Sequence, residues 1–229
     1  MPVTSTCPTT TPEAASRPSW CPTPLGGVKE QTAGLYAERL AAEGFATLAF
    51  DASYQGEGEG TPRFLENPFA RAEDVKSAVT FLTTRDEVDP ERLGALGICA
   101  SGGYVSYAAQ TEHRIKAVAT VSGADIGGMF REGLGGGQSE DVLRATLYQA
   151  GKDRTSEACG AEPCLQRIAP ETEEEAPNAP GLFQEAYEYY RTPAPSTPTR
   201  PIGCSPAAST RSSGTPPTTS SASSRRARC

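Results

Sequence analysis

The sequence predicts an α/β fold: a doubly wound parallel sheet with about three legible strands, a helical insertion behind them and disordered ends. Three observations predict it. Short apolar runs at Phe45 to Phe50, Leu93 to Gly97 and Ile115 to Val121 have the length and unbroken hydrophobicity of strands buried on both faces. Helical patterns alternate with these runs. Between Leu93 and Ala109 the apolar run meets small residues around Cys99 and continues as helix-compatible Tyr104, Val105, Tyr107 and Ala108, which reads as strand, sharp turn, helix.

Taken in order, residues 1–24 are rich in Thr, Pro and Ser, with Val3 and Trp20 their only large apolar side chains after Met1, and read as a disordered extension. From Gln31 to Glu43, Leu35, Ala37, Leu40 and Ala41 fall near helical spacing, and Gly44 supplies the stop. The strand at Phe45 to Phe50 runs into Asp51 and a polar, glycine-rich loop reaching Gly60. A second helix, about Ala70 to Thr84, lines up Val75, Ala78, Val79 and Leu82 as one apolar stripe. Asp89-Pro90 breaks it before the Leu93 strand. Residues 25–123 form the expected core. Residues 124–191 change character, with glycines at 133–137, helices at Asp141 to Ala150 and Leu182 to Tyr190, and an acidic run at Glu171 to Glu175 that reads as a solvated face. Residues 192–229 are dominated by Ser, Thr and Pro, contain no aromatic side chain and no acid, and cannot build a packed strand.

At 229 residues the chain has room for one such domain, and its net charge of −7 argues against nucleic acid or an anionic membrane as the main partner. Hydrophobic residues make up only 37 % against 20 prolines, so part of the chain is expected to stay unfolded. The N-terminus has neither a basic start nor an apolar stretch, no run is long enough to span a bilayer, and a cytoplasmic location is expected. Seven cysteines without repeated spacing and a single histidine argue against a disulfide framework and against a zinc site, and no metal or cofactor is expected.

The turn at Cys99 carries the chemistry. An apex residue in strained conformation needs small neighbours two before it and two or three after, and Gly97, Ser101 and Gly102 meet that need. The thiol then stands at a helix N-terminus, where thiolate is favoured. A register with Ser101 at the apex is the alternative.

Together GICASGGY, LGGVKEQTAGLYAERLAAEGF and FDASYQGEGEG resemble the dienelactone hydrolase-like branch of the α/β-hydrolase superfamily, over about Leu25 to Arg191. The resemblance implies a partial α/β-hydrolase sheet, a cap formed by the insertion, and cysteine-dependent hydrolysis or acyl transfer on a small ester, lactone or thioester. It implies Cys99 as nucleophile, with Ser101 the alternative, and the Ala100 N–H as one oxyanion donor. The family's oxyanion loop, of the type His-Pro-x-Gly-Gly, here reads Thr23-Pro24-Leu25-Gly26-Gly27. Pro24 has no N–H, so Leu25 and then Gly26 are the candidates for the second donor. Asp125, past the strand ending at Val121, is a candidate acid, with N-capping or a solvated loop as its other readings; Asp51, Glu57 and Glu59 either line the pocket or sit in a solvated loop.

The histidine base is missing. His113 precedes a strand, which puts it on the sheet edge opposite Cys99, and this fold supplies its histidine after the acid. Activity of this chain is therefore expected to be weak, with non-catalytic binding of a small molecule or partner as the other reading. The two ends read either as low-complexity segments or as translation out of frame, and the second is preferred because the family's missing strands belong there.

Overall fold

The computed structural model describes residues 3–6, 17–133, 135–167, 170, 172–178, 181–191 and 203–204. Strands β1 (Val3–Thr6) and β2 (Arg17–Pro22) precede helix α1 (Thr32–Ala42), and β3 (Phe45–Phe50) leads to α2 (Pro68–Thr83). A 3₁₀ turn at Pro90–Arg92 opens into β4 (Gly94–Ile98), α3 (Ala100–Ala109) and β5 (Ala117–Val121). The sheet runs β1-β3-β2-β4-β5, with β1 antiparallel to β3 and every other neighbour parallel.

Local sequence explains the helix limits. Asn67 accepts hydrogen bonds from the Phe69 and Ala70 N–H groups and Pro68 occupies the first turn, a strong start for α2. Gly44, at φ +86°, lets the chain leave α1 and enter β3 at once.

Both faces of β3 and β4 are covered, as buried parallel strands require. On one face Leu48 and Phe50 of β3 and Ala95 of β4 meet Val75, Val79 and Leu82 of α2 and Val105 and Ala108 of α3. On the other, Ala49, Leu96 and Ile98 meet Ala33 and Ala37 of α1. Odd and even positions of each strand thus divide between two cores.

The sheet starts earlier than the sequence suggests, which corrects the reading of residues 1–24 as wholly outside the fold. β2 lies between β3 and β4, with Trp20 opposite both Leu48 and Ala95, and β1 lines the far edge of β3. Pro18 and Pro22 conceal β2, because proline donates nothing to a ladder and is rare in central strands. Its place is set by topology: β3 and β4 do not pair with each other, and a strand must lie between them. The strand at Phe45 is thereby paired on both sides, by β1 and by β2. The other residues of 1–16, and all of 192–229 but 203–204, lie outside the described residues.

A second correction concerns β5, expected to be buried. Residues 117–120 are exposed, since among the described residues no strand pairs with its outer edge. Residues 124–191 carry α4 (Ile126–Glu132), α5 (Glu140–Ala158), β6 (Gln166–Arg167) and α6 (Gly181–Arg191); β6 forms an antiparallel ribbon with β7 (Gly203–Cys204). No helix among the described residues is long and apolar enough to cross a membrane.

Candidate active site

In an open α/β sheet, ligands bind outside the carboxyl ends of the strands where the winding changes direction. That place lies between β2, whose chain goes on to β3 on one side, and β4, which adjoins β2 on the other. Two segments emerge there: the loop Thr23–Val28 after β2, and Cys99 after β4.

Cys99 sits between β4 and α3 with φ +56° and ψ −122°, far from the regions open to ordinary L-residues. Its N–H donates to the Val121 carbonyl at 2.9 Å, and its own carbonyl accepts from Gly102 at 2.9 Å and Ala124 at 3.0 Å. The turn is crowded. A Cβ on Gly97 would come within 2.6 Å of the Gly102 Cα, and one on Gly102 within 2.6 Å of the Gly123 Cα. The requirement for small residues read from the sequence is thus a requirement of α3 passing close to β4 and to the end of β5.

Ser101 lies in the first turn of α3 and is buried. Its hydroxyl donates to the Ile98 carbonyl at 2.7 Å and accepts from the Ile98 N–H at 2.9 Å. The side chain therefore faces back onto the strand, while Cys99 takes the apex. Ala100 is fully buried as the first residue of α3.

Leu25 and Gly26 are the central residues of a turn closed by Gly27 N–H to Pro24 carbonyl at 3.0 Å, with Gly26 at φ +63°. Leu25 packs, beside Cys99, on the cluster of Ala100, Tyr104 and Ile126. The fold thus brings Leu25 to the Cys99 turn. Asp125 is the residue before α4, but its side chain caps nothing; it is 76 % exposed and 3.9 Å from Arg131. It borders a cavity of about 590 Å³ beside α3, with Phe69, Tyr104, Tyr107, Thr120 and Arg131. Cys99 is not among the residues lining that cavity. His113 is exposed in the turn before β5, on the amino edge of the sheet and remote from Cys99.

Two buried networks support the loop after β2, and the sequence reading missed both. Asp51, read as a pocket or solvated-loop carboxylate, is fully buried and accepts from the Lys29 N–H at 2.8 Å, the Lys29 ammonium at 3.1 Å and the Glu57 N–H at 2.9 Å. Burial lowers the pKa of Lys29, but hydrogen bonds to Glu57, Glu30 and Asp51 more than offset this and hold it above lysine's ordinary value. The carboxylates of Glu30, Asp51 and Glu57 converge closely enough to hold a cation, and the Lys29 ammonium bridges all three, at 3.1, 3.1 and 2.7 Å. The second network centres on Arg71, paired at 3.2 Å with Glu66 and bonded to Thr23 and Pro24. The available signal was a lysine two residues after the Gly26-Gly27 pair and an arginine between the apolar Phe69-Ala70 and Ala72.

Comparison with known proteins agrees with this architecture. A sequence model of the Dienelactone hydrolase family matches residues 23–132. Uncharacterized protein YcjY of Escherichia coli strain K12 is 48 % identical over 180 residues, 78 % of this chain and 58 % of that one. Thiohydrolase apmlB of Arthrinium phaeospermum is 33 % identical over 135 residues, 59 % of this chain and 42 % of that one. The crystal structure of hypothetical protein PA2218 from Pseudomonas aeruginosa superposes with a TM-score of 0.80 at 31 % identity, covering 89 % of this chain and 63 % of that one. The chain thus spans roughly half the length of the curated relatives it matches.

Proposed function

We propose, for a chain that belongs to the dienelactone hydrolase-like branch of the α/β-hydrolase superfamily, that Cys99 is the nucleophile of a cysteine-dependent hydrolase or acyl transferase acting on a small ester, lactone or thioester. The observation that carries this reading is the +56° φ of Cys99 at the junction of β4 and α3. Strained residues of this kind are held where the surroundings over-determine them, and functional sites are where they gather. A name of the form thiohydrolase, borne by two relatives, supports the thioester member of the substrate class.

In the reaction the Cys99 sulfur attacks the substrate carbonyl carbon. A C–S bond forms, and the carbonyl oxygen takes up negative charge beside the Ala100 and Leu25 N–H groups, with Gly26 next in line. Collapse breaks the bond to the leaving alcohol or thiol. The thiol proton needs an acceptor, and His113 is on the wrong edge, so in this chain the proton passes to water or buffer and turnover is slow. Asp125 is the acid candidate on the carboxyl edge.

The test is p-nitrophenyl acetate hydrolysis followed from the first seconds. Expected is a burst of p-nitrophenolate of about one equivalent per chain with slow steady turnover, lost in Cys99→Ala and kept in Ser101→Ala. Loss of the burst in Ser101→Ala alone would make Ser101 the nucleophile. Steady hydrolysis at a rate ordinary for enzymes would overturn the missing base. A second reading, a binding module without turnover, is favoured by the roughly 590 Å³ cavity beside α3, and it predicts no burst in any variant.

A further inference from the structure

We propose that Arg71 is a positioning residue that aims the Leu25 N–H at the oxyanion formed on Cys99. The inference rests on the reading of Cys99 as nucleophile.

Arg71 is buried in α2 and reaches across to the loop after β2. Its Nη2 donates to the carbonyls of Thr23 at 2.9 Å and Pro24 at 3.1 Å, and its Nη1 to the Thr23 hydroxyl at 3.3 Å. A trans peptide points its C=O and its N–H in opposite directions. The Pro24 carbonyl is gripped by Arg71 and by the Gly27 N–H, so the N–H on the same peptide, that of Leu25, is turned away from Arg71. Leu25 itself packs on Ala100 and Tyr104 next to Cys99. No acceptor among the described residues takes the Leu25 N–H, so it stays available to a ligand.

The guanidinium is fixed from its other side as well. Its Nε lies 3.2 Å from Glu66, whose same oxygen accepts from the Tyr104 hydroxyl at 2.7 Å, and its carbon is 5.4 Å from the centre of the Tyr104 ring. Tyr104 stands on α3, five positions after Cys99. One buried group therefore sets the spacing between the loop that holds one oxyanion donor and the helix that holds the other. A lysine cannot replace it, because only the planar fork reaches two carbonyls and a carboxylate together. A buried ion pair is a poor stabiliser compared with apolar packing, which agrees with a role in placement.

The test compares the wild-type chain with Arg71→Lys in two reactions of Cys99, each corrected with Cys99→Ala. Acylation by p-nitrophenyl acetate builds an oxyanion; alkylation by iodoacetamide does not. Expected is an acylation rate lowered by tenfold or more, on the order of what a partly misplaced oxyanion donor costs, with alkylation changed less than about twofold. Equal losses in both reactions, or none in either, overturn the proposal. Amide exchange of residues 23–27 is read in the same samples and should quicken in Arg71→Lys while β3 and β4 stay protected; unchanged exchange also overturns it. If wild type shows no Cys99-dependent burst, the nucleophile reading fails, and exchange still decides what Arg71 does to the loop. If Arg71→Lys lacks the wild-type near-ultraviolet spectrum, Thr23→Val, which removes one of the three contacts, is read in the same way with a smaller change in the same direction.

Discussion

The carboxylate of Asp51 holds Lys29 at both ends, taking its backbone N–H on Oδ1 at 2.8 Å and its ammonium on Oδ2 at 3.1 Å. Two loops that leave neighbouring strands are thereby tied by a buried charge. Lys29→Met would leave the Asp51 carboxylate buried without its counter-charge, and a loss of about 3–5 kcal/mol is expected in urea denaturation. Lys29→Met combined with Asp51→Leu should recover much of that loss, because no buried charge is then left unpaired. A Lys29→Met variant as stable as wild type would show that the pair contributes nothing.

Glycine to alanine should have opposite signs at two helical positions. In Gly102→Ala the new methyl would lie 2.6 Å from the Gly123 Cα, where only backbone can yield, and a cost of roughly 1–3 kcal/mol is expected. Gly151 lies inside α5 with nothing near its missing Cβ, so Gly151→Ala should stabilise by about 0.5–1 kcal/mol. Thermal melts of the two variants side by side give the comparison. A harmless Gly102→Ala would refute the close passage of α3 and β5.

Much of the fold and the strained turn was legible because periodicity and glycine placement report on backbone geometry directly. The apolar strand β3, the stripe Val75, Ala78, Val79 and Leu82 in α2, and Gly97, crowded by Ser101 and Gly102, reflect constraints local to the sequence, whereas Gly102 was legible from the same motif although the group that crowds it, Gly123, lies beyond β5. β2 was illegible for the opposite reason: Arg17–Pro22 has little strand propensity of its own and is held between β3 and β4 by pairing. Arg71 and Lys29 were missed because the contacts that tie them to other segments, Arg71 to Thr23 and Pro24 and Lys29 to Asp51 and Glu57, join residues far apart in the chain. For Asp125, the alternatives read in the sequence were a catalytic acid, an N-cap and a solvated carboxylate; an exposed side chain that caps nothing removes the second.

Charge at the far end of α3 gives a pH-dependent term. The Arg114 guanidinium, 2.6 Å from Glu112 and also bonded to Thr80 on α2, holds the Glu112 carboxyl below its ordinary pKa. A carboxyl with a lowered native pKa adds stability above its unfolded pKa of about 4.5 and loses it as pH falls through the native value. Arg114 is half exposed, so screening keeps the contribution to a few tenths up to about 1 kcal/mol. Glu112→Gln should therefore melt below wild type at neutral pH, and the two curves should converge as pH drops below about 4.5. Curves that stay separated at acid pH would assign the effect to packing instead.

The last prediction concerns β5. β3 is paired on both sides by β1 and β2, and β4 by β2 and β5, whereas β5 has one neighbour among the described residues and exposes Ala117, Val118, Ala119 and Thr120. An unpaired apolar edge offers free N–H and C=O groups to another chain. Hydrogen exchange should accordingly be slow in β3 and β4 and fast in β5, a gradient set by pairing. The same edge should drive concentration-dependent association. Val118, 41 % exposed, is the place to interrupt it, since a lysine there keeps the ladder to β4 and adds a charge to the edge. Light scattering of Val118→Lys should remain flat at concentrations where wild type associates, with an unchanged melting temperature. Equal association of both proteins would move the responsible surface elsewhere, and slow exchange in β5 would mean that its edge is already covered.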